Sequence, residues 1–493
     1  MINHLFILLF LPTITLAQIT PLEKNNFEKL TSYDELTEFV YQLDSLSDIL
    51  KVEVIGKSVQ GRNIYALKFS SSEFGEDTSK IKVLIFAQQH GNEQSGKEGA
   101  LLFASKLIQP ILIDHFKRVD LVIIPQMNPD GSEMNTRRNA NGMDLNRNHL
   151  ILTEPEVIAL HSLFDNYLFE VTMDVHEYYP YSDDWTDYGY IKYFDEQVGM
   201  TTNPNVSENI RNLSEQYITF LEHYFKERNF TFHNYILGGP PEINLMRYST
   251  YDINDGRQSL GILNSFSFIQ EGKNGKDSID NIQRRTEGQF KGMAAFLGFA
   301  SMNKDKIKSL VNEERSKLIL GTSRDSVAVQ MQHVSTGEKL KIPLRSLYSD
   351  EDSIITVNDF RPVVKSIYNV SRPLGYLIPK NNSRLYNWAI RQNLTIEDFE
   401  YTQNQIVQQY FVNEIDSIDF EGYTVVNPIL SQTNVDHKID PADYFFIQTN
   451  QLKNNLIVTA LEPKSILGLV TYEEFSDLLK AGEFFPVLRV TKK

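Results

Sequence analysis

Two histidines and a glutamate stand where a metal ion could be held. His90-Gly91-Asn92-Glu93 follows the apolar run 82–87 (KVLIFA), and His176 closes the run 171–175 (VTMDV). A histidine and a carboxylate three residues apart can reach one ion. Zinc takes imidazole nitrogen and carboxylate oxygen, and a catalytic zinc keeps one position for water. An isolated H-x-x-E in a chain with ten histidines and 64 acidic residues is ordinarily a strand-end histidine bonded to its own loop. Position changes the balance, because in open α/β sheets ligands bind beyond the carboxyl ends of the strands. His90 and His176 both stand at such ends, and a third strand, 121–125, leads into Asn128-Pro129-Asp130-Gly131. Three strand-end loops therefore converge, and His90, Glu93 and His176 form a His2Glu catalytic zinc set, with one ion per chain.

Beside this set lies the run 137–148 (RRNANGMDLNRN). Arginine offers a planar fork that pairs with a carboxylate through two hydrogen bonds. Such a loop next to a metal suits an anionic group. Taken alone, it reads equally well as a solvated loop whose Asn and Gly serve turns.

The elements that must position these residues alternate between helix and strand over the first 300 residues. Ser32-Tyr33-Asp34-Glu35 is a capping box opening a helix to about Leu46. Strands follow at 52–55 and 64–69, then the three runs named above, which are apolar enough to be buried parallel strands. Helical spacing of apolar residues appears at 101–108, 157–167, 210–225 and 283–299, with a further strand at 266–269. This alternation predicts an α/β domain with a parallel or mixed sheet. A boundary falls near Gly321, after the helical run 304–319. Beyond it the chain is β-rich, with a hairpin turn expected at 335–338 between strands 327–333 and 340–344, and short helices at 385–392 and 473–480.

Composition narrows the function classes. The chain has 493 residues, enough for two or more domains at about 100–200 residues each. It has no cysteine, which excludes a thiol nucleophile, a disulfide scaffold and Cys-ligated metal. With 48 basic and 64 acidic residues its net charge is −16, which argues against nucleic-acid binding. Residues 5–17 are almost wholly apolar and end on the small Ala17. That pattern predicts a secretory leader cleaved after residue 17, export to the periplasm or the exterior, and no stable membrane anchor afterwards; the other readings of the segment are a buried first strand and an uncleaved anchor.

Together these residues resemble the M14 zinc carboxypeptidases, and specifically secreted bacterial ones. The resemblance rests on 56–62 (GKSVQGR), the H-x-x-E at 90–93, Asn128-Pro129-Asp130-Gly131, the R-x-N…G-x-D-L-N-R-N run at 137–148, His176 at a strand end, and Glu271 after the strand-like run 265–270. They occur in family order across about residues 30–300. The resemblance implies an α/β/α sandwich around a mixed eight-stranded sheet (18–320), followed by a smaller β-rich accessory region (321–493). It implies zinc held by His90, Glu93 and His176, and Glu271 as general base. Arg137 would stabilise the oxyanion, with Asn146 and Arg147 gripping the substrate's terminal carboxylate. It also implies a tyrosine over that terminus. Tyr248 is preferred to Tyr251 for that place, and each has an alternative as a packed or rim tyrosine. The segment 177–196, rich in Tyr and carrying Asp183, Asp184 and Asp187, reads either as a recognition loop or as a solvated loop with its own aromatic cluster. The expected partners are C-termini of peptides or proteins. Two other readings are an amidase or peptidase acting on cell-wall peptides, and a non-catalytic peptide-binding module.

Overall fold

The alternating elements build one eight-stranded mixed sheet. A computed structural model describes residues 18–493 except 324, 350, 437 and 438, so the expected leader, residues 1–17, lies outside the described residues. The strands of this sheet are β1 (Leu50–Lys57), β2 (Asn63–Phe69), β3 (Ile81–Ala87), β4 (Val119–Ile124), β5 (Val171–Tyr178), β6 (Glu196–Met200), β7 (Phe232–Asn234) and β8 (Phe266–Lys273). Their spatial order is β1-β2-β4-β3-β5-β8-β6-β7. The central four, β4-β3-β5-β8, are mutually parallel, so their carboxyl ends open on one side. β1, β2 and β6 run antiparallel to their inner neighbours. Among the described residues no helix is long and apolar enough to cross a membrane.

The central strands are buried on both faces, which is why they read as unbroken apolar runs. One face is covered by α1 (Tyr33–Ser45), α2 (Gln94–Leu107), α4 (Glu208–Lys226) and α6 (Ile282–Met302). The Ser32 box closes as its spacing predicts, with Ser32 Oγ accepting from Glu35 N–H and the Glu35 carboxylate reaching back to Ser32 N–H. The other face carries α3 (Pro155–Tyr167) and α5 (Gly256–Gly261), and it shares its core with residues beyond 321.

That sharing defines the second part of the chain. A helix, α7 (Lys304–Ile319), precedes β9 (Ser326–Val334), β10 (Leu340–Ser346), β11 (Asp352–Val357), β12 (Val363–Ser371) and β13 (Gly375–Pro379). Next come α8 (Ser383–Arg391), the long hairpin β14 (Gln405–Phe420) and β15 (Tyr423–Asn434), then β16 (Tyr444–Gln448) and β17 (Leu488–Lys492). A six-stranded sheet runs from the short strand Glu397–Asp398 through β16, β13, β17 and β14 to β15. Val327, Tyr376, Trp388 and Leu456 pack in one continuous core with Leu84, Phe86, Leu160 and Phe164 of the first part. Trp388 is fully buried, and its indole N–H donates to Leu150 O at 2.9 Å. Truncating a buried aromatic of that size costs about 3–5 kcal/mol, so this seam contributes a large part of the stability of both sides.

The hairpin expected across 335–338 does not form. β9 pairs antiparallel with β12, and β10 pairs with β11 and with Tyr190–Ile191. Gly337 does reverse the chain at φ +85°. The two strands, however, bury their apolar residues in different places. Val327, Val329 and Met331 enter the large shared core, whereas Ile342 and Leu344 join Trp185, Phe194 and Ile236.

Candidate metal centre and active site

The loops after β3 and β4 are locked together before any chemistry is placed. A Cβ on Gly91 would lie 2.1 Å from the Gly131 carbonyl carbon, so only glycine allows this approach. Asn128 accepts from Gly131 N–H at 2.8 Å and donates to Gln89 O at 3.1 Å. Asp130 accepts from Ser58 Oγ, Gln60 N–H and Arg62 Nη1 at 2.8, 2.9 and 2.6 Å. The sequence pieces 56–62 and 128–131 thus form a brace under the loop that carries Arg137.

On this brace His90, Glu93 and His176 come together, all buried, each offering a ligand atom within 4.8 Å of the others. Glu93 Oε1 lies 2.7 Å from His90 Nδ1, and Glu93 Oε2 lies 2.9 Å from His176 Nδ1. The other nitrogen of each ring faces a carboxylate, His90 Nε2 toward Asp144 at 3.1 Å and His176 Nε2 toward Asp174 at 2.8 Å. A carboxylate on the outer nitrogen fixes the tautomer and leaves the inner lone pair free, as in zinc-binding histidines. Burial opposes a charge on His176, but Asp174 and Glu93 outweigh it and raise its pKa well above the ordinary value. Two imidazole nitrogens and a carboxylate fit a zinc ion.

Glu271 lies beside this set because β8 runs parallel to β5 with Glu271 opposite His176. Its carboxyl is buried, and burial pushes it up to about 7 against the opposing pull of His176. The Tyr235 phenol stands close enough to favour its charged form, and Glu271 in turn disfavours ionisation of Tyr235. Lys192, whose pKa burial lowers to about 8 against the pull of Glu271, donates to Ile236 O at 3.2 Å nearby. Neither Tyr235 nor Lys192 stands at a telling distance from a motif in the sequence. The one local signal is that Tyr235 leads into the turn-rich Gly238-Gly239-Pro240-Pro241.

Arg137 lies at the open side, its side chain 45% exposed. Asp144 holds its guanidinium through Nε at 2.9 Å and Nη2 at 2.8 Å, which leaves Nη1 3.2 Å from His90 Nδ1. Burial works against a charged Asp144, yet His90, Arg137 and Arg147 hold its carboxyl far below the usual range. Arg138 instead turns to Gly142 O, away from the centre. Asn146 is buried, accepting from Gly256 N–H at 2.7 Å with its Nδ2 3.3 Å from His176. Arg147 is exposed at the rim. Burial disfavours its charge, but Asp252, Asp144 and Asp255 strengthen it.

Tyr248, expected over the substrate terminus, lies elsewhere. Its ring is buried and its hydroxyl accepts from Met200 N–H at 3.1 Å, so it is tied into the edge of the sheet. Tyr251 donates to Met331 O at 3.0 Å and packs on His333 and Phe420. The phenol beside Glu271 is Tyr235 instead. Arg257 is fully buried and pairs with Asp255 at 2.9 Å, a structural ion pair. In 177–196, Trp185 packs with Phe194, Ile236 and Met246 as a small aromatic cluster, while Asp183, Asp184 and Asp187 face solvent.

The second part of the chain reaches this neighbourhood through the β14–β15 turn. Glu421 and Gly422 both have positive φ, 52° and 90°, as a two-residue hairpin turn requires. Glu421 pairs with Arg247 at 3.2 Å, and Phe420 packs on Tyr251 with ring centroids 5.5 Å apart.

Three comparisons bear on this arrangement. Residues 36–239 match the family described as zinc carboxypeptidase, Peptidase_M14; Glu271 lies beyond the matched stretch. Carboxypeptidase 2 of Trichophyton rubrum is 24% identical over 448 residues, covering 88% of this chain and 81% of its own. The human carboxypeptidase N catalytic chain is 33% identical over 135 residues, 24% of this chain and 30% of its own. Among solved structures, the carboxypeptidase A of Helicoverpa armigera is 18% identical with a TM-score of 0.44, covering 57% of this chain and 75% of that one.

Proposed function

The chain is a metallocarboxypeptidase whose residues 36–239 form a Peptidase_M14 zinc carboxypeptidase domain, and from that premise we propose that it is exported and removes C-terminal residues from peptides and proteins. The observation that carries this reading is the buried His90–Glu93–His176 cluster with Glu271 opposite His176 in strand register. His90, Glu93 and His176 would hold the zinc. When bound, zinc lowers the pKa of its water and polarises a carbonyl.

The remaining chemistry belongs to the chain. Glu271 takes the proton of the attacking water and delivers it to the nitrogen of the leaving residue. Its burial favours this work, because a carboxyl poised near neutrality both accepts and returns a proton. Tyr235 orients that carboxylate. Arg137, fixed by Asp144, places donors at the developing oxyanion, where a preset cation needs no reorganisation. Arg147 grips the free terminal carboxylate, with the Asn146 amide beneath it. An internal peptide has no such charge to offer, which makes the activity an exopeptidase.

The test is mass spectrometry of a mixed peptide library after incubation with the protein and zinc. The expected result is a one-residue ladder from the C-terminus. Internal cuts, or cleavage of cell-wall peptides alone, would favour the amidase reading, and an unchanged library would favour a binding module. Arg147→Gln should raise KM for free-acid peptides by roughly 10- to 100-fold, the worth of a charge-assisted hydrogen bond, and leave amidated peptides nearly unaffected. Equal effects on both would remove Arg147 from carboxylate capture.

A further inference from the structure

A chain of buried polar side chains leads from the outer nitrogen of His176 into the core. Asp174, which faces His176 Nε2 at 2.8 Å, accepts from Gln89 Nε2 on both oxygens, at 3.0 and 2.9 Å. Gln89 Oε1 faces His149 Nε2 at 2.8 Å, and His149 Nδ1 faces His161 Nε2 at 3.0 Å. Asp174, Gln89 and His149 are wholly inaccessible, and His161 is 4% exposed. A Cβ on Gly256 would lie 2.5 Å from Asp174 Oδ2 and 2.7 Å from Gln89 Nε2, so the start of α5 is pressed against this pair.

The directions of these bonds are forced. Asp174 can only accept, so the Gln89 amide must point its NH2 at it. Gln89 Oε1 must then accept, which makes His149 Nε2 the protonated nitrogen. His149 Nδ1 is left as an acceptor, and His161 must donate from Nε2. Burial keeps both imidazoles neutral, pushing His149 down to about 4 and His161 further below its usual value. Each link has one orientation, and each fixes the next.

We infer that His149, through Gln89 and Asp174, is a positioning residue for the metal ligand His176. Without a donor at His149, Gln89 Oε1 loses its partner in a dry site, and the side chain is no longer held where its NH2 reaches Asp174. Asp174 is then less firmly fixed as the acceptor that holds the His176 ring and tautomer. Partners outside a metal's ligands typically alter its affinity by about 10- to 100-fold when lost. This inference rests on the zinc reading above.

Zinc affinity measured by chelator competition on the full chain tests it, with the melting temperature of the metal-free protein recorded alongside. The wild type should bind about one zinc per chain; no binding at all would bring down the metal reading itself. His149→Phe should bind zinc roughly 10- to 100-fold more weakly. His149→Gln, whose amide can again donate to Gln89 Oε1, should recover most of that loss. Wild-type affinity in His149→Phe, whatever its melting temperature, would overturn the inference, as would failure of His149→Gln to improve on it. Nitrogen-15 NMR of the histidines in the wild-type protein reads the tautomer directly. His149 should carry its proton on Nε2, and a proton on Nδ1 alone would break the chain whether or not the variants fold.

Discussion

Replacing Glu271 by glutamine should lower kcat by roughly 10²- to 10⁴-fold, the usual worth of a general base, while zinc content stays near that of the wild type. Glutamine has nearly the same shape, so the pocket should keep its form. It cannot take up a proton. Glu271 is outside the His90–Glu93–His176 cluster, reaching it only through the register of β8 against β5. Kinetics with a free-acid dipeptide, together with elemental analysis of the same preparation, separate the two properties. A variant within threefold of the wild-type rate would remove Glu271 from the chemistry.

The second large effect is expected at Glu93. It supplies the carboxylate between the two imidazoles, with Oε1 toward His90 and Oε2 toward His176. Glu93→Gln removes the only negative charge among the three ligands. The loss of zinc affinity should exceed the 10- to 100-fold typical of outer partners, and activity should vanish with the metal. The fold should survive, because Asp144 and Asp174 still hold the outer nitrogens of both rings, and a glutamine oxygen can still accept from Glu177 N–H, as Glu93 does at 3.0 Å. Dialysis against a weak chelator followed by metal analysis measures this. Retention of a full zinc equivalent with unchanged circular dichroism would show that the ion sits elsewhere.

Much of the centre was legible in the sequence because its determinants are local. His90 lies just past β3 and His176 near the carboxyl end of β5, and the parallel pairing of those two apolar strands brings them together without further information. Arg137 was separable from Arg138 by its spacing to Asn139. Non-local partners decided what was not legible. Sequence alone prefers Tyr248 to Tyr251 as the tyrosine over the substrate terminus, yet a two-residue pairing of Arg247–Tyr248 with Ile236–Leu237 buries it and binds its hydroxyl to Met200. Tyr235 reaches Glu271 from a segment with no motif. The turn at 335–338 reverses the chain, but Met331 and Ile342 belong to different cores. The break near Gly321 marks a change of secondary structure, and one core crosses it, holding Trp388 together with Phe86.

The order of the six-stranded sheet also sets a schedule. β14 and β15 are joined to β13 and β16 only through β17, which pairs with β13 on one side and β14 on the other. The ribosome delivers β17 after every other strand of that sheet, and domains close as their parts emerge. Until Leu488–Lys492 appear, the hairpin that brings Glu421 to Arg247 is held only by contacts outside that sheet. The loop from Arg247 to Asp252, beside Arg147, is then less firmly supported. Completion of the rim beside Arg147 is thereby tied to the last strand of a sheet far along the chain from it.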